Sequence, residues 1–458
     1  MTPLKLRKTL LSLSVAAALL CAPAGSAMAD DDKIAALEAR IAELENLVQQ
    51  LLENQQAVPE APVELEATAQ EAVATTAERA AEAKVATILA EYMEAEAEEE
   101  QRHSFKIGGY IKADLIYSDY DSGPYKGAGR DWYIGAVTPV GDGPGESYLD
   151  MHAKESRINF RTTHNLDNGA RLGTFLEMDF QLPSQGDERI SNSYNPRLRH
   201  AFATYNNWLF GQTWMTFYNV GAIPENLDFV GPTESTIFGR QTQIRYTRGP
   251  WQFSIENPET TITPYGGGNR IVADDNLVPD AVLRYDLKRD WGHFTATGLL
   301  RQLAYEDAAA GIDDSTTSFG VSLSGKYIFD NKDDFRWMVS TGSGLGRYLG
   351  LNIANGAVLD ENGRLHAIDS TGVYASYRHL WSDKWRSNLT YSWVSIDNDT
   401  ELTGMGVSKT AQSYHLNLIY SPQPKLDFGA EFIWGEREIE SGADGTLSRL
   451  QFSAKYAY

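Results

Sequence analysis

Ser104-Phe105-Lys106-Ile107-Gly108-Gly109-Tyr110-Ile111-Lys112-Ala113-Asp114-Leu115-Ile116-Tyr117 changes side-chain character at every second position. Phe105, Ile107, Gly109, Ile111, Ala113, Leu115 and Tyr117 are apolar or small, with Lys106, Lys112 and Asp114 between them. Successive side chains of an extended strand point to opposite faces, so this segment has one apolar and one polar face. Soluble sheets alternate too, and one strand decides nothing. Repetition decides. Leu172, Leu176, Met178 and Phe180 oppose Arg171, Glu177 and Asp179; Trp385, Leu389, Tyr391 and Trp393 oppose Arg386, Asn388 and Thr390. Phe319, Val321, Leu323, Tyr327 and Phe329 oppose Ser322, Ser324 and Lys326, and Leu426, Phe428, Phe432 and Trp434 oppose Asp427 and Glu431. Segments of about ten residues with aromatics near their ends suit strands that face lipid on one side.

Sixteen such segments begin near residues 105, 154, 170, 197, 207, 240, 250, 280, 291, 317, 335, 371, 384, 413, 425 and 449. The connections between them alternate. Short ones lie at 164–169, 206–207, 249–250, 289–290, 330–334, 381–383 and 421–424. Long ones cover 118–153, 183–196, 214–239, 257–279, 304–316, 343–370, 397–412 and 438–447. Short periplasmic turns and longer external loops are the bacterial outer-membrane pattern, and lipid leaves an open strand edge without partners. The expected fold is all-β: a sixteen-stranded antiparallel transmembrane β-barrel over 104–458, preceded by a short α-helical coiled coil. Leu450, Phe452, Ala454, Tyr456 and Tyr458 end the chain with an apolar residue at every second position. That ending looks like the signal read by the barrel-assembly machinery, with Tyr in place of the more usual terminal Phe.

Residues 1–29 read as a secretory signal. Lys5, Arg7 and Lys8 precede the apolar run Leu10 to Leu20, and Ala27-Met28-Ala29 offers a cleavage site. Cys21 invites a lipoprotein reading, but Ala18-Leu19-Leu20 lacks the small residue needed before it. Cleavage after Ala29 leaves no cysteine, hence no disulfide framework. In the coiled-coil segment 30–56, Ile34, Leu37, Ile41, Leu44, Val48 and Leu51 recur at spacings of 3, 4, 3, 4 and 3. This heptad seam is short, and Leu47 and Leu52 widen it beyond a two-stranded one. Val58-Pro59-Glu60-Ala61-Pro62 ends it, and an Ala/Glu-rich linker and helix fills 57–103. The segments 1–29, 30–103 and 104–458 carry +3, −14 and −11, out of a net −22. Such a field disfavours nucleic acid.

The export signal, the coiled coil joined to a barrel, the first strand, and Asn207-Trp208-Leu209-Phe210-Gly211-Gln212-Thr213-Trp214 together resemble the DcaP-like trimeric porins. The resemblance spans nearly the whole mature chain. It implies a homotrimer of sixteen-stranded barrels in the lipid bilayer that takes up small anionic solutes, notably dicarboxylates.

Parity assigns the lumen without that resemblance. Lys106, Lys112, Arg157, Arg161, Arg171, Arg197, Arg199, Arg245, Arg284, Arg301, Lys326, Arg336, Arg378, Arg386, Arg437, Arg449 and Lys455 face inward. Asp114, Glu177, Asp179, Glu256, Asp286, Asp427 and Glu431 join them, so an acidic protein encloses a basic channel. Arginine's planar fork suits carboxylates and phosphates, and cationic rings select anions. The expected solute-binding residues are Arg157, Arg161, Arg171, Arg197, Arg199, Arg245 and Arg301. Arg161, Arg199 and Arg245 are expected at one depth by count from their strand ends. The segment 214–239, with Pro224, Gly231 and Pro232, is the expected constriction loop. Folded inward, it would set Glu225, Asp228 and Glu234 opposite those three arginines, with Tyr110 and Tyr218 beside the path.

Eight histidines include no pair at metal-ligand helical spacing, and no nucleophile elbow or phosphate loop appears. Neither an enzyme nor a cofactor is expected. Asp274-Asp275 and Asp313-Asp314 are candidates for calcium in external loops, although acidic loops are usually just solvated. The other reading is structural: a plugged barrel anchoring the coiled coil to a periplasmic partner.

Overall fold

The computed structural model describes residues 102–127, 129–181 and 194–458, with positions 42 and 46. The expected signal sequence, coiled coil and following helix lie outside the described residues. Sixteen antiparallel spans form one sheet. They are β1 (His103–Tyr120), β2 with β3 (Glu146–His152 and Arg157–Asn165, two halves of one span), β4 (Arg171–Asp179) and β5 (Arg197–Tyr205). Next come β6 (Trp208–Trp214), β7 (Arg240–Arg248), β8 (Trp251–Glu256), β11 (Asp280–Arg289), β12 (Gly292–Asp307) and β13 (Ile312–Ile328). The last six are β14 (Asp334–Ser343), β17 (Asp369–Leu380), β18 (Trp385–Asp397), β19 (Ser408–Gln423), β20 (Leu426–Ile439) and β21 (Asp444–Ala457). β21 pairs back onto β1, from Tyr110 opposite Ala457 to Tyr120 opposite Leu447, which closes the barrel.

Closure extends to the last residue. Tyr458 N donates to Gly109 O at 3.1 Å and its hydroxyl donates to Arg157 O at 3.2 Å. Gly109 has φ +149°, and a Cβ there would stand 2.1 Å from Arg157 O, so no other residue fits this crossing.

The alternation sorts side chains as a barrel requires. Tyr117, Leu450, Phe432, Leu416 and Leu389 lie opposite one another on five successive strands, all exposed on the outer wall. One position along, Gln451, Glu431, Asn417 and Asn388 form a buried inner row. At the short-turn end an aromatic belt packs ring against ring across strands: Trp208 with Tyr246 at 4.7 Å, Trp251 with Tyr285 at 4.8 Å, Trp385 with Tyr420 at 4.5 Å. Rings of this kind sit at a membrane–water interface.

The long-loop end departs from the expected boundaries. The second span starts at Glu146, well before 154, because Tyr148-Leu149-Asp150-Met151 already alternates, with Leu149 and Met151 exposed outward. The expected loop 304–316 shrinks to 308–311, since β12 and β13 remain paired out to Asp307 and Ile312. Segments 257–279 and 343–370 contribute four short strands to a second sheet. β9 (Thr260–Thr263) lies between β10 (Ile271–Ala273) and β15 (Ala357–Leu359), and β16 (Leu365–Ala367) completes it. Ile262, Leu303, Ala357, Leu359 and Leu365 form its small core.

The outer row yields a test. Leu416→Arg places a charge in hydrocarbon near mid-strand and should destabilise the barrel by about 2–4 kcal/mol. Denaturant unfolding from lipid vesicles measures it, with exposed Lys409→Arg at the strand end expected to be near neutral.

Candidate functional site

The β6–β7 connection, residues 215–239, is folded inside the barrel, and its backbone is tied to the wall by side chains from many strands. Arg284 Nη1 donates to Tyr218 O at 2.7 Å, Tyr374 Oη to Ala222 O at 3.1 Å, and Asn417 Nδ2 to Glu225 O at 2.8 Å. Leu227 N donates to Glu431 Oε2 at 2.6 Å, and Lys112 Nζ to Leu227 O at 2.6 Å. Buried backbone groups need partners, and here the wall supplies them. Asn219 and Pro232 open two short 3-10 turns (Val220–Ala222 and Thr233–Ser235).

The three expected acidic residues lie on this loop, but they face the wall formed by β17 to β21. Glu225 pairs with Arg386 at 2.6 Å and with Arg378 at 3.6 Å. Burial alone would raise its carboxyl, yet the Arg386 hydrogen bond and the surrounding arginines hold it below its ordinary value. Asp228 accepts from Tyr133 N at 2.7 Å, with Arg449 at 3.7 Å, and burial pushes its carboxyl up. Glu234 accepts from Ser413 Oγ at 2.6 Å. None meets Arg161, Arg199 or Arg245.

The 215–239 loop forms a strap across the lumen, and its other side presents Phe229 to the β3–β5 wall. The guanidinium carbons of Arg157, Arg197 and Arg199 stand 5.7, 5.6 and 5.6 Å from its ring. A register shift places Arg199 as the extra residue of a bulge, between Leu198 opposite Met178 and His200 opposite Glu177. Arg197 grips Asp179 with two hydrogen bonds of 2.8 Å; Arg199 reaches Glu177 at 2.7 Å and Asp179 at 2.6 Å. Arg240 packs 4.7 Å from the Trp214 ring. Arg240 Nη1 and Arg157 Nε have no hydrogen-bond partner. Three arginines thus share two carboxylates, and Arg240 stands beside them without one.

The remaining expected residues lie apart. Arg161 stacks 4.8 Å from the Phe175 ring, and Arg245 donates to Trp214 O at 2.6 Å. The common depth expected for Arg161, Arg199 and Arg245 is not found. Register sets Arg161 opposite Phe175, which in turn faces Phe202, three residues along β5 from Arg199. Arg171 is exposed where β4 begins. Arg301 is buried at the long-loop end, bonded to Asp280 at 3.2 Å and Glu259 O at 2.6 Å. Tyr218 is buried beside Trp214, whereas Tyr110 lines the path, 5.1 Å from the Arg157 guanidinium and 5.0 Å from Lys455 Nζ. A cavity of about 150 Å³ lies there, lined by Tyr110, Arg157, Phe229, Arg386 and Lys455.

Arg240 was missed because Gln241, Gln243 and Arg245 are the inward set by parity, and strand ends escape parity. Lys112 was legible as inward; its partner Glu155 was not, since it sits in the break between β2 and β3. Asp275 and Asp314, in the calcium-like pairs, accept Glu306 N at 2.9 Å and Leu365 N at 2.7 Å. Among the described residues no three acidic, His or Cys side chains are grouped to hold a metal.

A closed barrel of sixteen strands, aromatic-belted outside and narrowed by its own loop inside, defines a porin-type channel of the outer membrane. The chain belongs to the DcaP outer membrane protein family, whose model matches residues 97–458. Its fold is similar to that of the outer membrane channel DcaP of Acinetobacter baumannii, with TM-score 0.65 and 22% identity over 78% of this chain and 98% of that one. OmpT of Vibrio cholerae, as a loop L8 deletion, aligns at TM-score 0.49 and 12% identity, covering 78% and 100%. Salmonella typhi OmpF, complexed with daunomycin, aligns at 0.49 and 10%, covering 77% and 98%. No curated protein matches the chain significantly.

The strap's anchorage is testable. Arg386→Gln removes the main partner of Glu225, and the loop should loosen at that point. Single-channel recordings should show noisier current, with thermal stability of the barrel little changed.

Proposed function

We propose that the channel passes small organic anions, dicarboxylates included, by diffusion across the outer membrane. The observation that carries this reading is charge asymmetry at the constriction. The acids of the strap and the β17–β21 wall are matched by Arg378, Arg386, Arg449 and loop N–H groups. Arg157, Arg197 and Arg199 share only Glu177 and Asp179, and Arg240 beside them forms no ion pair among the described residues. A carboxylate arriving there exchanges water for charge-assisted hydrogen bonds, roughly twice as strong as neutral ones. Several modest contacts let it leave again, as conduction requires.

The channel works as a homotrimer, with its long connections outside and the N-terminal segment in the periplasm. The heptad seam strengthens that trimer without creating it: removing residues 30–100 leaves a folded barrel, because the sheet closes on itself. Heat-modifiable migration of the purified protein tests the assembly.

Arg157→Gln combined with Arg240→Gln keeps polarity while removing two charges. Anion-over-cation permeability, read from reversal potentials in a salt gradient, should fall several-fold, and succinate should block less. Arg161→Gln with Arg171→Gln should shift it less, being nearer the short-turn end. Unchanged selectivity in the first pair would overturn the assignment.

A further inference from the structure

At the long-loop end, above the strap, lies a larger chamber of about 860 Å³. Its wall is mainly apolar, with Trp132, Ile134, Leu351, Ile353, Ile368 and Val407 contributing. The segments that enclose it are braced. Arg301 donates to the carbonyls of Glu259, Gly344 and Leu345, joining both connections of the second sheet, and Arg347 pairs with Glu259 at 3.2 Å.

Two arginines line this apolar space. Arg270 donates from Nε to Asn355 Oδ1 at 2.5 Å and from Nη2 to Asn352 O at 2.6 Å. Arg437 donates from Nε to Ser408 Oγ at 3.0 Å and from Nη1 to Thr138 O at 3.2 Å. Each is fixed by neutral acceptors and keeps one terminal nitrogen out of those bonds. Among the described residues neither forms an ion pair, whereas Arg284, Arg301, Arg336, Arg378 and Arg386 in the same lumen all do. Arg270 stands at the exposed rim of this space, where partial desolvation lowers the proton affinity of its guanidinium and no carboxylate offsets it. An immobilised guanidinium without a counter-charge, beside apolar surface and in a space of ligand size, complements an anion that carries its own apolar body.

We propose that this chamber is a second binding site, which captures amphipathic organic anions: molecules with one acidic group and a bulky apolar body. The acid meets the unused guanidinium edges of Arg437 and Arg270, and the body covers the Ile134–Ile353–Val407 wall. The proposal extends the anion reading to a ligand class and a place different from the arginine cluster around Phe229.

The probe is 2-naphthoate, with neutral 2-naphthylmethanol and succinate as controls, titrated against the full-length protein in detergent and in planar bilayers. Binding is read from tryptophan quenching and from current block. Naphthoate should bind well and naphthylmethanol poorly. Arg437→Gln and Arg270→Gln should each weaken naphthoate about tenfold, as loss of a charged hydrogen bond does. Ala354→Trp, which fills the chamber, should weaken it as well while heat-modifiable migration stays normal. The Arg157→Gln/Arg240→Gln pair should leave naphthoate affinity unchanged, so loss of succinate block there tests the constriction alone. Equal binding of the neutral analogue, or undiminished naphthoate affinity in both arginine variants, would overturn the proposal.

Discussion

Everything in this molecule follows from the pairing of β1 with β21. Hydrocarbon offers backbone N–H and C=O groups no partner, and each unsatisfied group there costs several kcal/mol. The first strand and the last must therefore meet along their length, and they do so from Tyr110–Ala457 to Tyr120–Leu447. Tyr458 and Gly109 show how tightly this seam is drawn, with the terminal aromatic docked where β1 passes from β3 towards β2. Closure then imposes its own consequence. A ring of sixteen strands leaves a lumen too wide for wall side chains to fill.

The strap fills it, and a loop at that depth has the same difficulty as an open strand: its polar groups must be satisfied by something other than bulk water. The wall provides Glu431, Asn417, Lys112, Arg284 and Tyr374, each placed by inward parity and each reaching a strap backbone atom. Buried charges bring a desolvation cost, which good geometry and additional hydrogen bonds can offset. Glu431 illustrates the balance, since it accepts from Leu227 N and Asn417 Nδ2 with His415 at 3.4 Å. Once the strap's acids are satisfied by the β17–β21 wall, the arginines of β3–β7 are left with too few partners. The surplus of arginine on the β3–β7 side is thus a by-product of how the strap is anchored.

Much of this was legible because the relevant signals have short range. Period-two alternation, repeated sixteen times, gives the strands, and the proline- and glycine-bearing length of 214–239 marks the inward loop. Inward parity likewise holds for Arg157, Arg197 and Arg199. What parity lacks is depth. Strands tilt and differ in length, from six residues in β8 to eighteen in β1, so counting from strand ends misplaced Arg161 and Arg245 relative to Arg199. It also fails wherever the ladder is irregular. The bulge at Arg199, the break carrying Glu155 and the strand ends at Trp214 and Arg240 are all such places, and each contributes to the constriction. The partners of Glu225, Asp228 and Glu234 lie about a hundred to two hundred residues away in sequence, beyond any local pattern.

On the proposed reading the outer chamber and the arginine cluster around Phe229 would act in series on one solute path, with chemistries that differ in a way that favours passage. Around Phe229 the cations are partly neutralised and lie against aromatic faces, which gives a site that attracts charge without enclosing it. In the chamber above, fixed guanidinium groups border apolar surface, and affinity there depends on a solute's hydrophobic area as well as its charge. A small polar anion would gain little in the outer chamber and move on to the arginine cluster. A bulkier anion would be held where there is room for it, before the strap excludes it by size. Selectivity would then rest on neither zone alone, because entry must be favourable and exit must remain easy. Arg301 braces the outer sheet, and the strap is tied to the same segment, with Phe238 N donating to Tyr348 O at 3.2 Å and Gly350 N to Thr236 O at 3.1 Å, so the shapes of the two zones are linked.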